Sequence, residues 1–283
     1  MRIAYMSDLH LEFEAARAKQ DGWRDLDAAR RSLPGHPDRG PLLSSIQGVD
    51  LVILAGDIDT GTQGVRYADA VANYLEAPVV YVAGNHESYD GDLTELAGNL
   101  QAAAWATEGR VFYLEQGIAS LWVGGERLHV LGCTLWTDYQ LEGDCDGAMR
   151  RALGRMHDYR QITWHGAAFQ PRDALAIHRR CRAWLGEQID RVRQRDPASR
   201  LVIVSHHAPI PLPLEPRVAE LAPCYASDLA PAIAQWRPDA WFHGHSHRRH
   251  ETRCHDTWVV SAPLGYPGGR VLDTGYAPGL LEF

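Results

Sequence analysis

Five apolar segments of this sequence each stop abruptly at side chains that can bind metal ions or carry protons. Carboxylate oxygens, an amide oxygen and imidazole nitrogens are the ligands that borderline and hard divalent metals prefer. Their number suits two ions better than one. The five segments that follow the apolar runs are Asp8-Leu9-His10, Gly56-Asp57, Gly84-Asn85-His86-Glu87, His206-His207 and His243-Gly244-His245-Ser246-His247.

The apolar runs before these segments have the length and composition of β-strands. In a parallel sheet the carboxyl ends of neighbouring strands lie at one edge, so side chains that follow them can converge in one crevice. We therefore expect a single site built from segments far apart in sequence. The predicted strands are 3–7, 51–55, 79–83, 201–205 and 240–242.

Helical patterns separate these strands, which indicates right-handed crossovers and parallel pairing. Short strands at 111–114, 119–123 and 127–131 are also expected, with a hairpin turn at Gly124-Gly125. No linker divides the chain, so we predict one domain over residues 1–283, with a cap or insert around 134–170. The predicted helices are 25–31, 64–75, 93–106, 172–193 and 228–236.

The composition of the chain limits the functions it can have. Of 283 residues, 45% are hydrophobic and 23% charged, as in ordinary globular proteins, and the net charge is −8. An acidic chain argues against an extended nucleic-acid surface or an anionic membrane. The five cysteines are odd in number and form no Cys-x-x-Cys pair, which fits a reducing compartment. No run approaches membrane-spanning length and Met1 leads straight into a strand, so we expect a cytoplasmic protein.

Each segment taken alone also has a structural explanation. An Asp and a His two residues apart suit a turn at a strand end, and Asp57 suits the cap of a helix. Asn85 could be a buried amide that satisfies backbone groups. A His-x-His that follows an apolar strand, as at His245 and His247, is more often a ligand pair than a chance pair.

In this order the five segments resemble the signature of the calcineurin-like metallophosphoesterase superfamily. That signature is Asp-x-His, Gly-Asp, Gly-Asn-His-Asp/Glu, a single His and Gly-His-x-His, each after a β-strand. The resemblance runs from residue 8 to residue 247. It implies an α/β fold, a four-layer αββα sandwich of two mixed β-sheets flanked by helices, with a dinuclear metal site at the carboxyl ends of the strands. It also implies hydrolysis of phosphodiesters or phosphomonoesters of small molecules by a metal-bridging hydroxide.

The resemblance implies a role for each matching residue. His86 corresponds to the proton-donating His, so His86 and Asp57 are the expected catalytic residues, with Asn85 also close to the substrate. In the pair His206-His207 we assign the first as ligand, with His207 as its rival. Oxygen and nitrogen ligands do not select one metal. We expect Mn²⁺, and Fe, Zn, Co and Ni are the alternatives. The implied ligands are Asp8, His10 and His247 for one ion, Asn85, His206 and His245 for the other, and Asp57 between them.

One position departs from the family pattern. Many members continue the second motif as Gly-Asp-x-x-Asp, and the last Asp orients the catalytic His. This chain has Thr60 there. Either Asp59 substitutes from a shifted turn, or another group orients His86.

Substrate contacts are expected from the insert. Trp136 and Tyr159 could stack on a base or an aryl leaving group, and Arg160 could meet a second phosphate or a carboxylate. The alternative is that Trp136 and Tyr159 only pack the insert onto the sheet.

Three other functions were weighed. A non-catalytic metal-binding scaffold of the same fold conflicts with the complete set of seven ligand positions. A lactonase or β-lactamase type of dinuclear hydrolase needs a His-x-His-x-Asp-His segment, which this chain lacks. A nuclease of the same superfamily conflicts with the acidic balance. We therefore expect a small phosphate ester as the substrate, and the sequence leaves the oligomeric state open.

Overall fold

The computed structural model describes residues 1–13, 41–214, 216–266 and 276–283, so the helix predicted at 25–31 lies outside the described residues. Within them, two short 3-10 helices span His86–Ser88 and Pro216–Leu221. The α-helices are α1 (Pro41–Ser44), α2 (Gln63–Leu75), α3 (Leu93–Trp105), α4 (Cys145–Arg155), α5 (Asp158–Gln161), α6 (Pro171–Arg195), α7 (Ala222–Tyr225) and α8 (Ala230–Trp236). The β-strands are β1 (Arg2–Met6), β2 (Leu51–Ala55), β3 (Val79–Val82), β4 (Gly91–Asp92), β5 (Val111–Tyr113), β6 (Gly117–Val123), β7 (Glu126–Cys133), β8 (Ile162–Trp164), β9 (Ala167–Ala168), β10 (Arg200–Ser205), β11 (Ala240–Phe242), β12 (His250–Cys254), β13 (Thr257–Ser261) and β14 (Gly279–Glu282).

One sheet has the strand order β14-β1-β2-β3-β5. Strands β1, β2, β3 and β5 are parallel, and β14 pairs antiparallel with β1. Every residue of β2 is buried, which matches its uninterrupted apolar sequence. The parallel register places the ends of β1, β2 and β3 at one edge, where three of the predicted metal-binding segments begin.

The second sheet has the order β12-β13-β11-β10-β7-β6. Its four inner strands are parallel, and the antiparallel hairpins β6/β7 and β12/β13 form its two edges. Gly124 and Gly125 connect β6 to β7 with φ values of 57° and 80°. Two successive residues in the left-handed region favour glycine, which explains the predicted turn at this position. The ends of β10 and β11 carry the other two segments.

Alternation along the central strands divides the core into layers. On β2, Ile53 packs in the cluster between the two sheets, while Val52 packs against α2 and α3. On β10, Val202 packs between the sheets and Ile203 packs against α6. The two sheets therefore face each other across one apolar layer, and each is covered by helices. This is the predicted αββα sandwich.

The long helix α6 begins as its sequence indicates, with Pro171 in the first turn and a reciprocal capping box between Gln170 and Asp173. Its buried face packs on the second sheet. The prediction placed the helix at 172–193, within two residues of the observed ends. The residues of its buried face include Ala174, Ile177, Cys181, Leu185, Ile189 and Val192.

Between β7 and α6 the chain forms α4, α5 and the short strands β8 and β9. Strand β8 pairs with β4 and β9 in a small third sheet. Asp144 caps α4 by accepting a hydrogen bond from the backbone of Gly147. Sequence analysis missed α4, because only Gly147, Ala148 and Ala152 are buried along it and no apolar period marks it. Among the described residues, no helix combines the length and the apolar character needed to span a bilayer.

Candidate metal centre

The five motif segments meet at the shared edge of the two sheets. The backbone of Asp8, His10, Asp57, His245 and His247 has φ between 49° and 65°, in the left-handed region. Asp and His adopt this conformation more readily than bulky residues, and it turns each chain sharply at the end of its strand. The side chains of Asp8 and His10 are fully buried there.

One cluster of potential ligands consists of Asp8, His10, Asp57 and His247, with one ligand atom from each within 4.8 Å of the others. The Nε2 atoms of His10 and His247 lie 3.0 Å apart, and Nε2 of His247 lies 3.4 Å from Oδ1 of Asp8. Two ligands that each bind one ion at about 2.1 Å lie about 3.0–3.4 Å apart. The spacing therefore suits the coordination of a metal ion.

A second cluster consists of Asp57, His206 and His245. Nε2 of His206 lies 3.3 Å from Oδ2 of Asp57 and 3.2 Å from Nδ1 of His245. The side-chain oxygen of Asn85 lies 3.0 Å from Nε2 of His206. Asp57 belongs to both clusters, so one carboxylate lies between two groups of nitrogen ligands.

The buried carboxylates at the centre require positive charge beside them. Asp8 and Asp57 are 0% and 1% exposed, and two buried carboxylates are stable only beside positive charge. The imidazole of His206 lies 3.3 Å from Oδ2 of Asp57. Burial disfavours the imidazolium, but the Asp57 carboxylate outweighs burial and raises the pKa of His206 to about 10. Burial likewise opposes ionisation of Asp57, yet His206 and His86 hold the pKa of Asp57 well below its usual value.

Glycine at two motif positions lets the loops touch. A Cβ on Gly84 would lie 2.2 Å from Oδ1 of Asp57, and a Cβ on Gly56 would lie 2.7 Å from the backbone nitrogen of Gly84. Only glycine permits this approach, which explains the Gly-Asp and Gly-Asn pairs. Backbone N–H groups then fix the carboxylates, since His86 donates to Asp57 and His245 donates to Asp8, each at 2.9 Å.

Glu87 has a structural role that the sequence did not reveal. Its buried carboxylate accepts hydrogen bonds from the backbone of Asp57, Ile58 and Gly84. The hydroxyl of Tyr81 also donates to it, at 2.6 Å. Glu87 thus joins the loops after β2 and β3 and sets the position of Asp57.

The partner of His86 is Glu12. Nδ1 of His86 donates to Oε1 of Glu12 at 2.9 Å, and the same oxygen accepts from Nδ1 of His10 at 3.0 Å. Asp59 instead accepts from the backbone N–H of Thr60. Thr60 stands where many family members have the Asp that orients the catalytic His. In this chain the carboxylate that contacts His86 is that of Glu12, two residues after His10. Burial opposes the charge on His86, but Asp57 and Glu12 raise its pKa to about 9.

Tyr266 also reaches His86, and sequence analysis gave no sign of it. Its hydroxyl lies 3.2 Å from Nε2 of His86. Its ring packs on His10 and His247, with ring centroids 4.5 Å away in both cases. The hydroxyl of Tyr266 therefore lies next to Nε2 of His86, the ring nitrogen on the side of the ligand clusters.

Asn85 is oriented by the insert. Its amide nitrogen donates to Oδ1 of Asp158 at 2.8 Å, and the hydroxyl of Tyr89 donates to the same oxygen. This arrangement turns the side-chain oxygen of Asn85 toward His206. Asp158 is 2% exposed and lies at the start of α5.

The model of the calcineurin-like phosphoesterase family matches residues 1–249. The chain belongs to this family. Together with clusters of His and Asp that can bind metal, this makes it a metal-dependent phosphoesterase.

The chain is also similar to solved structures of other proteins. The phosphopantetheinyl hydrolase of Mycobacterium tuberculosis is 19% identical, with a TM-score of 0.63 over 96% of this chain and 91% of its own. GAP50, the anchor in the inner membrane complex of Plasmodium, is 13% identical, with a TM-score of 0.44 over 94% of this chain and 71% of its own. No curated protein matches this chain in sequence.

Four other residues from the sequence analysis do not belong to the two ligand clusters of the phosphoesterase that contain Asp57. His207 is buried and its ring packs on His245, and within the described residues it belongs to neither cluster. Trp136 is 2% exposed and packs on Phe169. The buried hydroxyl of Tyr159 meets that of Tyr139, and exposed Arg160 donates to the carbonyl of Gly154.

A cavity of about 380 Å³ opens beside the clusters of the phosphoesterase. Its floor includes Asp57, Asn85, His245 and His247. The insert does line it, but through residues 155–157 rather than through Trp136, Tyr159 or Arg160. The remaining lining of the cavity is Tyr89, Arg155, Met156, His157, Leu214, Val218, Leu221, Tyr225, Ser246, Arg248 and Tyr266.

Proposed function

We propose that this protein hydrolyses phosphodiesters or phosphomonoesters of small molecules, using two divalent metal ions that share Asp57. The observation that carries the proposal is the membership of Asp57 in both ligand clusters. Mn²⁺ is the proposed metal, since oxygen and nitrogen ligands without thiolate suit it. The ligands would be Asp8, His10 and His247 for one ion and Asn85, His206 and His245 for the other.

When bound, such a pair of ions lowers the pKa of a water molecule held between them and neutralises charge on the phosphoryl oxygens. The chain supplies the remaining chemistry. Water adds to phosphorus while the bond from phosphorus to the leaving oxygen breaks, so no covalent enzyme intermediate is needed.

His86 is the proton donor in this proposal. Its Nδ1–H is held by Glu12, and its Nε2 lies 4.0 Å from Oδ2 of Asp57, on the side of the shared centre. A charged imidazole in this place can stabilise the leaving oxygen and pass it a proton. Glu12 fixes the ring and favours its charged form.

The size of the cavity supports a small-molecule substrate. A space of about 380 Å³ holds a phosphoryl group and a modest organic group. The solved neighbour is named a phosphopantetheinyl hydrolase, which supports phosphate-ester hydrolysis by this fold. The net charge of −8 argues against an extended nucleic acid.

The test is hydrolysis of bis-p-nitrophenyl phosphate and p-nitrophenyl phosphate by metal-stripped protein, with and without added Mn²⁺. We expect metal-dependent release of p-nitrophenol, and the ratio of the two rates shows whether diesters or monoesters are preferred. Release that does not depend on metal would contradict the proposal. Neither release nor metal uptake would leave a non-catalytic scaffold of the same fold.

A further inference from the structure

The cavity beside the metal centre extends well beyond the space that a phosphoryl group needs. Metal-ligand side chains form only its floor. The rest of its lining includes basic side chains, called here the cationic rim, and apolar side chains, called here the apolar wall. This division indicates the chemistry of the organic group that a substrate would carry.

The cationic rim contains Arg155 and Arg248, and His157 also lines the cavity. Arg155 is already paired with Glu220. Arg248 directly follows His247, and its guanidinium forms no hydrogen bond or ion pair within the part of the chain that the structure describes. The chain as a whole has a net charge of −8, but the unpaired guanidinium of Arg248 gives this rim a local positive charge. A guanidinium binds phosphate or carboxylate through two parallel hydrogen bonds.

The apolar wall contains Met156, Leu214, Val218 and Leu221. Met156 and Leu221 are buried, while Leu214 and Val218 are half-buried. Two of these residues lie in the 3-10 helix Pro216–Leu221, which the Arg155–Glu220 ion pair ties to α4. Such a wall gains stability when a carbon chain or ring displaces water from it.

We propose that the cavity accepts a phosphodiester whose organic arm has an apolar segment and a second anionic group. The apolar segment lies along Val218 and its neighbours, and the second anion, a phosphate or a carboxylate, lies on Arg248. The proposal rests on the proposed function for the cleavage step and adds the class of substrate. It also moves the expected contact with a second anion from Arg160 to Arg248.

The test uses three p-nitrophenyl phosphodiesters that differ only in the second alcohol: ethyl, heptyl and ω-carboxyheptyl. For the Mn²⁺-loaded protein we expect kcat/KM to rise about tenfold from ethyl to heptyl, and about tenfold again when the carboxylate is added. In Arg248→Gln the ratio of ω-carboxyheptyl to heptyl falls to about one. The control Arg150→Gln removes an exposed arginine of α4 that does not line the cavity, and it keeps both ratios.

Equal rates for the heptyl and ω-carboxyheptyl esters in the unaltered protein would overturn the proposal. So would an unchanged ratio in Arg248→Gln. The corresponding alkylphosphonates without the p-nitrophenyl group separate this outcome from failure of the proposed function, because they contain no ester bond that could be cleaved. If no ester is hydrolysed, calorimetry should still show that the ω-carboxyheptyl phosphonate binds about tenfold more tightly than the heptyl phosphonate. This difference should disappear in Arg248→Gln. Equal affinity for the heptyl and ω-carboxyheptyl phosphonates would reject the anion site.

Discussion

The carboxylate of Asp158 accepts a hydrogen bond from the side-chain amide of Asn85 at 2.8 Å, although 73 residues separate them in sequence. An amide binds a metal ion through its oxygen, so its orientation decides whether Asn85 can be a ligand. With its nitrogen directed at Asp158, its oxygen faces His206 at 3.0 Å. The insert therefore takes part in building the metal centre as well as in lining the cavity.

Replacing Asp158 by leucine tests this relationship. Leucine has a similar shape but accepts no hydrogen bond, so the amide of Asn85 loses its charged partner at 2.8 Å and keeps only the hydroxyl of Tyr89 at 3.1 Å. We expect affinity for the ion of the His206–His245 cluster to fall about 10–100-fold, while the other ion binds as before. A calorimetric titration with Mn²⁺ resolves the two steps.

The control for this experiment is Tyr89→Phe. It removes a second donor to Asp158 and a longer, 3.1 Å contact with the amide of Asn85, but keeps the 2.8 Å bond between Asp158 and Asn85. Metal binding by the control should stay within a few-fold of the unaltered protein. Equal weakening of both ions in Asp158→Leu, or no weakening, would show that Asp158 does not act through Asn85.

Replacing His86 by alanine should separate metal binding from proton donation. His86 lies outside the two ligand clusters that contain Asp57, so the ions should remain bound. Alkyl esters, whose leaving oxygen needs a proton, should slow by about 10²–10⁴-fold, and p-nitrophenyl esters much less. If both kinds of ester slow equally, His86 is not the proton donor. Rates for paired alkyl and p-nitrophenyl esters give the answer.

Glu12→Gln should reproduce this pattern in weaker form. The variant keeps a side chain of the same length but loses the negative charge beside Nδ1 of His86. We expect alkyl esters to slow more than p-nitrophenyl esters. Because Glu12 also bonds His10, the metal content of the variant must be measured alongside. Loss of metal with equal slowing of all esters would mean that Glu12 serves His10 rather than His86.

Gly84→Ala should destabilise the protein, because the new Cβ would lie 2.2 Å from a carboxylate oxygen of Asp57. We expect a cost of about 1–3 kcal/mol in the free energy of unfolding, together with weaker metal binding. The matched control is Gly98→Ala on the exposed side of α3, where nothing lies within 4 Å of the new Cβ. That change should stabilise by about 0.5–1 kcal/mol. Urea unfolding of the metal-free proteins measures both, and equal effects would contradict the close approach.

Much of the framework could be predicted from sequence because its signals are local. Strands β2 and β11 were predicted with their observed ends, since each is a fully apolar run that stops at a glycine or a histidine. The ligand positions follow from where those runs stop. The order of the motifs along the chain then identified the family.

The contacts made by Glu12, Asp158 and Tyr266 could not be predicted, because each depends on how distant segments pack. Glu12 meets His86 across 74 residues, and Tyr266 meets it across 180. Nothing next to these residues in sequence marks them as polar partners of the site. The sequence left open whether Trp136 and Tyr159 contact a substrate or only pack, and the structure buries both in one hydrophobic cluster.

Electron paramagnetic resonance of the Mn²⁺-loaded protein tests the central claim most directly. Two ions that share Asp57 would lie about 3.5–4 Å apart, close enough for their spins to couple. The account predicts two Mn²⁺ per chain with a coupled spectrum, which reverts to an uncoupled signal or disappears in Asp57→Ala together with the hydrolytic activity. A single bound ion, or two ions whose spectra show no coupling, would contradict it.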